Sequence, residues 1–139
     1  MQRRITKLLV LVAIVGLLGL TAYPLPGLNR AIPPGSWGGT GISLVVAKKS
    51  AKLEFDCANG SIPSAITTDR RGNFSVAGKW TREMSVIRTD VTIPSESVRY
   101  VGKVTGNSMT LKVRTVSSGE ELASFTLTKG AYGRLRKCR

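Results

Sequence analysis

The sequence predicts an all-β fold: a small antiparallel up-and-down barrel of seven or eight strands after an N-terminal signal helix. Three observations carry that expectation. Beyond Gly35, apolar and polar residues alternate with a period of two along most of the chain, the mark of strands that bury one face. Short turn sequences at Asn59-Gly60, Asp69-Arg70-Arg71-Gly72 and Gly106-Asn107 separate the alternating runs at hairpin distances. No helical period appears beyond the N-terminal segment. Short hairpin-connected strands in an open sheet leave unpaired edges, and closing the sheet into a barrel removes them.

The N-terminal segment sets the compartment. Arg3, Arg4 and Lys7 precede an apolar run over residues 8–20 made only of Leu, Val, Ala, Ile and Gly. Those 13 residues fit the core of a secretory signal and fall short of the roughly 20 that a spanning helix needs. Residues 1–22 therefore read as a signal peptide cleaved after Ala22. Leu20, where a small residue is preferred, leaves a short uncleaved membrane anchor as the alternative. Residues 23–34 hold four prolines (Pro24, Pro26, Pro33, Pro34) and read as a stiff linker to a domain over residues 35–139.

Within that domain, the glycine-rich stretch over residues 35–41 reads as a flexible lead-in to the first strand. It lacks the lysine and the helix that a phosphate-binding loop needs. Ile42, Leu44 and Val46 alternate; so do Ala51, Leu53, Phe55 and Cys57, with Lys52, Glu54 and Asp56 outward. Asn59-Gly60 is the expected hairpin turn, after which Ile62, Ser64 and Ile66 continue the inner face. Phe74, Val76, Gly78 and Trp80 share a face, as do Val98, Tyr100, Gly102 and Val104. The Gly106-Asn107 turn returns the chain through Met109, Leu111 and Val113, and Ala123, Phe125 and Leu127 form the last clear strand. Tyr132 to Cys138 is expected to add a short closing strand. Residues 81–97 show no clean alternation and read as a lid or an irregular strand.

Two cysteines in an exported chain read as one disulfide, Cys57–Cys138. Closing a loop of about 80 residues stabilises by about 4–5 kcal/mol through the unfolded chain. The same residues argue against catalysis. The chain has no histidine, its cysteines are paired, and its tight carboxylate pair, Glu54 and Asp56, sits on an open sheet face. No catalytic residue, metal ligand or cofactor is expected.

Charge is the more informative feature. Lys and Arg number 21 against 8 acids, a formal net charge of +13; removing the three cations of the leader leaves +10. Counting back from the Gly106-Asn107 turn pairs Thr105 with Ser108 and sets Arg99 opposite Arg114, with Lys103 and Lys112 on the same outer face. Like charges facing one another across a ladder are destabilising, which makes this face a candidate anion-binding surface. Arg134, Arg136, Lys137 and Arg139 form a second basic cluster. Nucleic acid is a poor partner for an exported chain without exposed stacking aromatics. The inward set Phe55, Phe74, Trp80, Tyr100, Leu111 and Phe125 is either a packed core or the lining of an apolar ligand site.

Gly35-Ser36-Trp37 resembles the Gly-x-Trp opening of lipocalins and related calycin barrels. That resemblance implies a calycin-like barrel in which Trp37 plugs one end and a late basic residue, Arg134 or Arg136, packs over it. A wider pattern is similar to a group of small exported bacterial proteins. It comprises Leu53-Glu54-Phe55-Asp56-Cys57-Ala58-Asn59-Gly60, Tyr100-Val101-Gly102-Lys103-Val104, Met109-Thr110-Leu111 and Gly133-Arg134-Leu135-Arg136-Lys137-Cys138. This second resemblance implies no activity; its residues are turn glycines, inward apolar positions and the cysteine pair. Cys57-x-x-Gly60 also resembles the disulfide-bonded barrels that inhibit lysozyme, although a charge of +10 repels a basic enzyme.

The reading is thus a monomeric, non-enzymatic binding module, periplasmic or extracellular, or tethered to the membrane by an uncleaved leader. Its partner is either an apolar small molecule inside the barrel or an anionic envelope polymer, lipid surface or acidic protein on its basic face. An envelope inhibitor of a secreted hydrolase is the alternative.

Overall fold

The computed structural model describes residues 29–84 and 90–138. The expected signal peptide and the first part of the linker lie outside the described residues, as do residues 85–89 and Arg139. The strands are β1 (Arg30–Ala31), β2 (Gly35–Gly39), β3 (Ile42–Val46), β4 (Ala51–Phe55), β5 (Ala58–Ile62), β6 (Thr67–Thr68), β7 (Asn73–Arg82), β8 (Glu96–Thr105), β9 (Ser108–Thr115) and β10 (Glu121–Lys129).

Eight of them close a barrel in the order β10-β2-β3-β4-β5-β7-β8-β9, with β10 paired to both β9 and β2. Each neighbouring pair is antiparallel, so the expected closed antiparallel barrel is what forms. β1 and β6 pair with each other outside the ring, which ties Arg30 and Ala31, within the stretch read as linker, to the domain. Ile32 follows them into the core.

The long hairpin of β8 and β9 turns where expected. Thr105 pairs with Ser108, and Gly106 alone takes a positive φ (59°), as the first central residue of a type II′ turn does. The Asp69–Gly72 turn also forms. The Asp69 carboxylate accepts N–H groups from Asn73 (2.9 Å) and Arg71 (2.8 Å), bonds that hold its pKa below the ordinary value.

Four local expectations are corrected. The glycine-rich lead-in is a strand: β2 pairs with β3 along its whole length and closes the ring. Its glycines answer to close packing, since a Cβ at Gly39 would collide with the Thr126 carbonyl and one at Gly38 with the backbone of residues 131–133. Asn59-Gly60 is not the hairpin turn. Asp56 and Cys57 make it, and Asn59 and Gly60 lie inside β5 opposite Glu54 and Leu53. Ser64 is exposed rather than inward, because the chain leaves the sheet after Ile62, where Pro63 has no N–H to give a ladder. Residues 132–138 form no closing strand. β10 already pairs with β2, so no edge is left for them, and only a parallel bridge between Thr40 and Arg134 forms.

The middle of the barrel is solid. Ile42, Leu44, Val98, Tyr100, Met109, Leu111, Val113 and Leu127 each have 0% exposed surface. A void able to hold a water molecule against any of them would leave accessible area, so side chains fill this layer. Glycines make room for the rings. The Tyr100 ring lies over Gly60 and Gly78, where a Cβ would strike it, and the Phe74 ring lies over Gly102 in the same way.

Candidate functional site

Two surfaces combine charge with accessibility. The first is the outer face of β7, β8 and β9. Arg99 stands opposite Arg114, Lys112 opposite Val101 and Lys103 opposite Thr110, so the sequence-derived register holds and the four cations share one face. Lys79 extends it on β7, opposite Ser97. Lys79 is legible from the same alternation, one residue before the inward Trp80.

Hydroxyl groups lie between these cations. The Arg99 guanidinium donates to Ser75 Oγ at 3.0 Å, and Lys79 Nζ to Ser97 Oγ at 2.9 Å. Glu121 is the acid that sequence reasoning missed. It contacts Lys112 at 3.5 Å and Arg114 at 4.0 Å, both as exposed pairs of small energetic weight. Strict alternation from Phe125 through Ala123 would turn Glu121 inward. A shift of register between Glu121 and Ala123 instead sets it opposite Arg114 on the outer face. One carboxylate thus serves two of the cations, while the Lys103 side chain has no hydrogen bond or ion pair among the described residues.

The second surface is the barrel rim where the β2–β3, β4–β5 and β7–β8 connections meet. Of the predicted inward set, Phe55, Phe74, Tyr100 and Leu111 are buried, whereas Trp80 and Phe125 are half-buried. Phe55 contacts both, with ring centroids 4.3 Å from Trp80 and 5.2 Å from Phe125. This trio lines an open cleft of about 420 Å³ together with Asp56, Arg82 and Glu83. Deeper in, the Tyr100 hydroxyl donates to the Lys79 carbonyl at 2.7 Å, and burial pushes its phenol well above the usual tyrosine range.

The tail fastens beside this rim. Cys57 and Cys138 are joined as a disulfide with Cα atoms 5.2 Å apart, and both residues are exposed. The Arg136 N–H donates to Asp56 Oδ1 at 2.7 Å, and Lys137 Nζ bonds Glu83 at 2.9 Å and the Phe55 carbonyl at 3.3 Å. Arg134 exchanges backbone bonds with Gly39 and Gly41, and its guanidinium donates to Thr40 Oγ1 at 2.7 Å. The C-terminal cations are therefore a strap stitched to the barrel. Trp37 is 3% exposed in β2, and its indole N–H is buried without a partner.

Among the described residues no three His, Cys, Asp or Glu side chains stand together as a metal site would. No protein family, curated protein or solved structure matches this chain. Its class therefore rests on its own geometry: a closed eight-stranded antiparallel barrel with a filled middle and a disulfide-fastened tail.

Proposed function

We propose that the protein is a non-enzymatic, exported binding module whose basic face docks on an acidic polysaccharide of the cell envelope. The observation that carries this reading is the Arg99–Arg114 pair, two arginines at facing positions of adjacent strands with Lys79, Lys103 and Lys112 on the same outer face. Like charges directly opposite one another destabilise a ladder, and an anionic partner relieves that repulsion. The filled barrel middle leaves no room there for the apolar guest considered from sequence, which supports a surface reading. Ser75, Ser97 and Thr110 supply hydroxyls among the cations, as suits a hydroxylated polyanion. Export is supported by the basic and apolar start of the chain and by the cysteine pair.

Two tests follow. Intact mass of the native protein is expected to show a start near Tyr23; an N-terminus retained in the membrane fraction would replace secretion with anchoring. For the face, Arg99→Gln with Arg114→Gln is expected to change stability by less than about 0.5 kcal/mol. The same change weakens co-sedimentation with polygalacturonate, and added salt weakens the wild type, because exposed charges are screened. Equal binding by both proteins, or no binding by either, would reduce the face to a solubilising surface. Stronger retention on phosphatidylglycerol vesicles would transfer the partner to lipid.

A further inference from the structure

The rim cleft holds a different combination of groups. Phe55, Trp80 and Phe125 give it an aromatic wall, and its volume of about 420 Å³ is within the range of small-molecule sites. A second cleft of about 470 Å³, which Trp80 also borders, is lined by Met84, Ile93, Pro94, Ser95 and Glu96. Trp80 and Arg82 border both clefts.

The charges at the rim are not equally available. Asp56 Oδ1 takes the Arg136 N–H at 2.7 Å, and its Oδ2 lies against Gly41. Glu83 takes Lys137 at 2.9 Å. The Arg82 side chain is exposed and, among the described residues, has neither a hydrogen bond nor an ion pair. A guanidinium is a forked donor matched to a carboxylate, and here it stands beside a half-buried indole. The net charge of +10 that remains without the leader also concentrates anions around it.

From this geometry we infer a second, small-molecule site at the rim, which takes an apolar monocarboxylate with its body against Trp80 and its carboxylate on Arg82. This site is separate from the basic face and does not depend on it.

Tryptophan emission reads the site selectively, because Trp37 is 3% exposed and Trp80 lines the cleft. Titration with decanoate is expected to give a saturable change in emission that Trp80→Phe abolishes. Arg82→Gln, a change at an exposed strand end, should weaken decanoate about tenfold or more and leave the affinity for the neutral analogue decan-1-ol unchanged. Arg99→Gln with Arg114→Gln should leave decanoate affinity unchanged, which separates this site from general attraction to a basic protein. No saturable change up to the solubility limit, or equal decanoate affinity in wild type and Arg82→Gln, would overturn the inference.

Discussion

Replacing Cys57 with serine is expected to lower the unfolding free energy by about 4 kcal/mol. The bond spans a sequence separation of 81 residues, so its loss releases the chain from β5 to the C-terminal strap from a loop constraint in the unfolded state. It also frees one end of the strap. Cys138 is joined to the rim turn, and the two residues before it contribute the Arg136 bond to Asp56 and the Lys137 bond to Glu83. Those bonds are exposed and add little by themselves, so the last residues depend on the cross-link, whereas the Arg134 backbone bonds to Gly39 and Gly41 hold the start of the strap. Urea unfolding of Cys57→Ser, Cys138→Ser and the double variant measures the effect. The three should coincide, because each removes the same bond. Thiol counting on denatured, unreduced wild type should find none free. A loss below about 1 kcal/mol, or two free thiols, would remove the disulfide from the account of stability and weaken the case for export.

Much of the barrel was legible because a period-two pattern has one physical meaning. Where alternation was unbroken, as along β8 and β9, a single turn fixed the whole ladder and set Arg99 opposite Arg114. Reading failed where a residue type had two uses. Asn-Gly is a strong turn signal, yet Gly60 is small to admit Tyr100 from two strands away in the ring, a contact between residues 40 apart in sequence. Gly38 and Gly39 imitate a loop for a similar reason: neighbouring backbone comes too close for side chains. The strap has no regular repeat because its bonds go to the rim and the β2–β3 turn rather than along a ladder. The basic face was legible in its cations but not in Glu121, since a register shift leaves no mark on the alternation. Of the rim site the aromatic residues were visible as inward positions, while the engagement of Asp56 and Glu83 away from Arg82 depends on where the C-terminal strap lies.

Truncating Tyr100 to alanine is expected to cost about 3–5 kcal/mol, the usual range for deleting a large buried aromatic side chain. Tyr100 has 0% exposed surface, and its hydroxyl reaches the Lys79 carbonyl at 2.7 Å across the gap that Gly60 and Gly78 leave open. Two gentler changes test whether ring and glycine form one unit. Tyr100→Phe removes the hydroxyl bond at a cost of about 1 kcal/mol. Gly60→Ala sets a methyl against that hydroxyl and costs about 1–3 kcal/mol by overpacking. Together they should cost less than their sum, with a coupling of about 1–2 kcal/mol, because the phenylalanine ring no longer carries the atom the methyl meets. The phenol also gives an alkaline signature. Burial raises its pKa above 10.0, so the unfolded chain ionises first, and the stability tied to the neutral phenol is complete below about pH 10 and lost as pH rises further. Urea midpoints measured across the alkaline range should therefore fall for wild type and fall less for Tyr100→Phe. Additive costs in the cycle, together with superimposable alkaline limbs, would show that the Tyr100 hydroxyl is not held in the glycine gap.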